Sequence, residues 1–162
     1  MDNFFEQLFN AVYREGQKVL IYFFGPGDYR SASIRFGGFQ PSYNWYGKTS
    51  LGFDKVGPLE FSTKTIYLNV CFMHYYLGLV DWTKYDFPKF VNTIAHEITH
   101  CLIADYGPKQ TGKHDGWFLV IAYFVEAYLW DTNEIKILAQ LSNSNRSSPH
   151  SLKFLKLTNH SS

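Results

Sequence analysis

The chain has 162 residues, is 46% hydrophobic and 18% charged, and carries 15 basic against 14 acidic side chains for a formal charge of +1. One domain of roughly 100–200 residues is the size to expect. The composition excludes intrinsic disorder, and the near-neutral charge gives no general attraction for nucleic acid.

From the N-terminus, Asp2 and Glu6 stand where an export signal needs basic residues, and the apolar run 19–24 is too short for its hydrophobic region. No export leader is expected. Asp2 is a candidate cap for a first helix in which Phe4, Phe5, Leu8, Phe9 and Val12 follow i, i+4 spacing, with Gly16 as a left-handed stop. Residues 18–24 are rich in strand formers, Gly25-Pro26-Gly27-Asp28 reads as a turn, and residues 29–36 alternate, so a hairpin is predicted. Residues 37–47 then read as an aromatic loop whose Tyr43, Trp45 and Tyr46 pack the sheet against helices. At the surface beside Lys48, the same rings would make a stacking platform. A weak strand at 49–54 and a better one at 65–70, with Pro58 between them, complete a small sheet.

Helical signals follow. Asp86-Phe87-Pro88 opens a helix, and Gly107-Pro108 stops it. Between them Phe90, Val91, Ile94, Ala95, Ile98, Cys101 and Leu102 form one apolar stripe, which leaves His96 and His100 on the opposite face, towards a cleft. A further helix starts near Asp115 and runs to Trp130. Its apolar stretch, residues 117–130, is interrupted by Glu126 and falls short of the ~20 residues that cross a bilayer, so it reads as a buried helix and no membrane partner is expected. Asp131-Thr132-Asn133-Glu134 caps another helix over 135–141. The Ser/Asn-rich segment beyond predicts a single domain over residues 1–141 and a flexible tail over 142–162. The two cysteines, Cys71 and Cys101, form no CxxC pair, which excludes a disulfide framework and an all-cysteine zinc ribbon and favours an intracellular setting. Phe, Tyr and Trp make up 19% of the chain, a supply of rings for a core or a cleft wall.

The sharpest chemical feature is His96-Glu97-Ile98-Thr99-His100, an HExxH within the best-signalled helix. Histidines four apart lie one above the other and can direct a nitrogen to one zinc ion. Glu97, about 100° round the helix, can accept a proton from water without occupying a ligand position. A catalytic zinc needs a third protein ligand. Three residues downstream are candidates: His114, Glu126, whose apolar helix leaves a carboxylate in need of a partner, and His150. Asp105 and Asp115 could hold a ligand imidazole by its other nitrogen, and Tyr106 or Tyr123 could stabilise an oxyanion. Cys101 points away from the histidine face, His74 reads as a partly buried histidine, and His160 belongs to the tail.

A strand, a helix carrying His96-Glu97-x-x-His100, a loop of about a dozen residues, then His114 with Phe118 four residues on: this order resembles the SprT-like (Spartan-type) zinc metallopeptidase domain. The resemblance is dense in motifs over residues 65–125 and architectural before that. It implies an α+β, zincin-like fold with an N-terminal helix, a small mostly antiparallel sheet, the HExxH helix and a buried C-terminal helix. It also implies one zinc ion on His96, His100 and His114, with Glu97 as general base. Asp115 stands where the family has glycine, and the cysteines of the bacterial members' second zinc ribbon are absent. The expected activity is hydrolysis of peptide bonds in a protein or peptide lying extended along the sheet edge. Two alternatives accompany it: a zinc-stabilised binding module with little turnover, and a protease acting on nucleic-acid-associated proteins.

Overall fold

The computed structural model describes residues 2–27, 34–106, 114 and 116–147, and within these the side chains of all but residues 2, 3, 61, 62 and 104–106. The architecture is α+β. The elements are α1 (Asp2–Phe24), β1 (Ile34–Gln40), β2 (Gly47–Val56), β3 (Leu59–Asn69), α2 (Cys71–Tyr76), a single 3-10 turn (Thr83–Tyr85), α3 (Phe87–Tyr106), α4 (Trp117–Leu129) and α5 (Asn133–Ser147).

The first helix does not stop at Gly16. Its apolar face continues through Val19 and Leu20, both buried, so residues 18–24 are helical and the expected hairpin does not form. A glycine inside a helix costs about 1 kcal/mol relative to alanine. Here it serves the crossing with α3: a Cβ on Gly16 would lie 2.6 Å from Leu102 Cδ1. The left-handed stop belongs to Gly25, at φ +89°, whose N–H bonds the Ile21 carbonyl at 2.9 Å. The proposed cap rests on the Asp2 side chain, which is not among those described, and residues 29–33 of the predicted strand at 29–36 lie outside the described residues; that strand's end, residues 34–36, begins β1.

The three-stranded sheet has the order β1-β3-β2. β2 and β3 form an antiparallel hairpin with Val56 opposite Leu59, and β1 lies parallel to β3, so the sheet is mixed with the longer ladder antiparallel. The aromatic loop between β1 and β2 crosses the end of β3. Asn69, 1% exposed, ties it down by donating to the Ser42 and Trp45 carbonyls at 2.9 and 3.0 Å. Its rings divide: Tyr46 reaches Phe72 and Tyr85, whereas Tyr43 is fully exposed.

Beneath the sheet, Ile66 and Leu68 of β3 meet α1 and α3, and the whole predicted stripe of α3 is buried in this core. Fully burying one such side chain is worth about 1.5–3 kcal/mol. Asp86 caps α3 as expected, accepting the Lys89 N–H at 3.1 Å, and Thr132 caps α5 through the Ile135 N–H at 3.3 Å. Two expectations need correcting. α4 is buried on one face only, by Phe118, Ile121, Ala122, Val125 and Leu129, while Leu119 and Tyr123 stand in solvent. α5 runs on to Ser147 where a tail was expected from residue 142, because Ser142 is buried and Arg146 grips the loop after α2. That guanidinium donates to the Tyr75 carbonyl, and to Val80 O at 3.2 Å, and lies 3.5 Å from the Tyr75 ring centroid. Residues 148–162 lie outside the described residues.

Candidate metal centre

One turn of α3 sets His96 and His100 on the face opposite the buried stripe, and His114, just before α4, comes back over them. The three Nε2 atoms converge: His96 to His114 is 3.1 Å, His96 to His100 3.2 Å and His100 to His114 3.0 Å. Phe118, 3% exposed, floors the cluster, stacked on His100 with ring centroids 4.2 Å apart. The aromatic four residues after His114 thus has a physical role, which is to hold the imidazoles against an apolar wall.

Three ring nitrogens that all face one point form a poor hydrogen-bonding set, since any tautomer leaves lone pairs or protons opposed. They form a good cation site. Ligand nitrogens about 2.0–2.1 Å from a tetrahedral zinc lie about 3.3 Å from one another, close to the separations found here. Burial first, and then the charges of His114 and Lys89, lower the His96 pKa, which favours the neutral imidazole that ligates a metal. The residues present can therefore hold a metal ion.

Glu97 is outside this triangle, 8% exposed. Its Oε2 accepts a 2.7 Å hydrogen bond from Thr49 Oγ1 on β2. Burial raises its pKa, and the Thr49 hydrogen bond and the His114 charge pull it back. β2 comes this close because residue 47 is glycine: a Cβ there would meet Thr93 Cγ2 at 2.8 Å and Glu97 Cγ at 3.3 Å. Two cavities open from this point and share Gly47, His96 and Glu97. One, of about 540 Å³, continues past Thr49, Lys64 and Cys101, and the other, of about 380 Å³, past Lys89 and Asn92 to Glu126.

Of the candidate third ligands, His114 joins the pair on α3, and Glu126 lines the smaller cavity without joining the group; His150 lies outside the described residues. So do the side chains of Asp105, Asp115 and Tyr106. Tyr123, 70% exposed on the outer face of α4, lines neither cavity. His74 is half-buried beside a separate pocket that includes Cys71, and Cys101 is buried. Sequence reasoning missed Thr49, Gly47, Lys89 and Asn92, none of which belongs to a motif.

In comparisons with known proteins, no family model, no curated protein and no solved structure matches this chain.

Proposed function

We propose that this chain is a zinc metallopeptidase of the SprT-like kind, hydrolysing peptide bonds in a protein or peptide substrate. The observation that carries the reading is the convergence of three imidazole nitrogens within 3.2 Å beside a buried carboxylate, in an open cleft along a sheet edge. His96, His100 and His114 would hold the ion. Bound there, zinc supplies Lewis-acid polarisation of a carbonyl and of water near neutral pH.

The chain's own residues do the rest. Glu97 takes the proton from the attacking water and returns it to the leaving amine. Thr49 holds one carboxylate oxygen, so the other is left to face the cleft. Among the described residues β2 is an edge strand, paired on one side by β3, and its outer backbone groups can align an extended peptide across the site. Phe118 behind the histidines keeps the centre dry on its inner side, where charge interactions are strongest.

Glu97→Gln tests the assignment against a zinc-stabilised module without turnover. The variant should still bind one zinc per chain while cleavage of an unfolded protein substrate falls about 10²–10⁴-fold. Unchanged turnover would remove Glu97 from the mechanism. Stoichiometric zinc with no cleavage by the unmutated chain would favour the binding module.

A further inference from the structure

The smaller cavity leads from His96 and Glu97 to Glu126, a carboxylate on a helix whose other residues are nearly all apolar. Glu126 is half-buried. Among the described residues it accepts no hydrogen bond and forms no ion pair, and Lys89 is the charge that acts on it. Asn92 lines the same cavity, and its Oδ1 is buried without a partner. Two acceptors left unsatisfied in one half-enclosed space are costly, the charged one most of all. Lys89 offsets only part of this cost, through its charge on Glu126, and bonds neither acceptor. It is exposed at the rim, its Nζ 4.2 Å from the centroid of the Tyr46 ring, in a cation–π contact of its own.

We propose that this cavity is a specificity pocket adjoining the metal centre, in which Glu126 and Asn92 receive the guanidinium of a substrate arginine. Arginine fits better than lysine because its planar fork presents several N–H groups at once, enough for a carboxylate and an amide oxygen together. A volume of about 380 Å³ accommodates such a side chain with its aliphatic stem along Tyr46 and Thr93. As a substrate pocket this rests on the peptidase reading. The binding chemistry does not require the metal.

The experiment uses the full chain and blocked, otherwise neutral hexapeptides that carry arginine at each position in turn, or citrulline, which keeps the shape and loses the charge. Binding is measured by calorimetry on zinc-loaded and metal-free protein. At one or more positions arginine should bind about tenfold tighter than citrulline, as expected for a charge-assisted pair. Glu126→Gln should bring the two to parity, weakening arginine far more than citrulline, and Lys89→Met, which removes a competing cation from the rim, should widen the preference severalfold. Equal affinity for arginine and citrulline at every position, or a preference that survives Glu126→Gln, overturns the proposal. Should the glutamine variant not fold, an unaltered preference in Lys89→Met overturns it instead. Zinc content and cleavage are scored separately, so absence of both would sink the peptidase reading while the metal-free comparison still decides the pocket.

Discussion

The hydroxyl of Thr49 reaches Glu97 from a strand 48 positions earlier in the chain, and that one hydrogen bond aims the carboxylate. A hydrogen bond to a charged group contributes about 1.5–3 kcal/mol. If it is needed in the transition state, its loss slows turnover roughly 10–100-fold. Thr49→Val should therefore lower kcat by that factor with zinc content unchanged, and Thr49→Ser should restore most of it. Steady-state kinetics with metal analysis checks both, and a valine variant of full activity would show that Glu97 needs no such support. At this scale HExxH was legible because its geometry is local: residues one and four apart on a helix have the same relation in every helix. Thr49 was not legible, because its role depends on the register of β2 against α3.

Among the elements, α4 shows what patterning can and cannot say. An apolar run reads as a buried helix, yet half of its surface is exposed, and the one carboxylate it carries sits at the edge of the buried half. Burial raises the Glu126 pKa, and Lys89 offsets part of the effect; His96 and Glu97 face it across the same cavity. A carboxylate with a raised folded-state pKa favours folding below its unfolded value, near 4.3, and loses that contribution as pH rises through the folded value. Glu126→Gln should accordingly melt higher than the unmutated chain at pH 7, with the gap narrowing as the pH falls through the raised folded value and gone once it is below the unfolded value near 4.3. Parallel melting curves across that range would show that the carboxylate is fully solvated. α1 carries the same lesson in the opposite direction. Its strand-forming second half is helical because the apolar period runs on past Gly16 into a face that α3 and α4 cover, and tertiary burial outweighs a propensity difference of a few tenths of a kcal/mol per residue.

Across the whole molecule, the three histidines tie α3 to the chain entering α4, so a metal ion bound to them would bind the folded state and not the unfolded one. At a free zinc concentration 100 times its dissociation constant, this linkage adds about 2.7 kcal/mol, which for a chain of this size raises Tm by roughly 5–10 °C. Chelation should reverse the shift, and His114→Ala should abolish most of it in calorimetry. A Tm indifferent to zinc would refute the centre. The sequence by itself determined the α+β class, the buried stripe of α3, the caps on α3 and α5 and the histidine pair, all features set by spacing within one element. Only the tertiary structure decided where α1 and α5 end, that β1 runs parallel to β3, that His114 meets the histidine pair of α3, and that Thr49 and Gly47 meet at Glu97. The physical reason is the same in each case. Contacts between residues far apart in the chain depend on packing faces against one another, and no local period in the sequence encodes which faces those are.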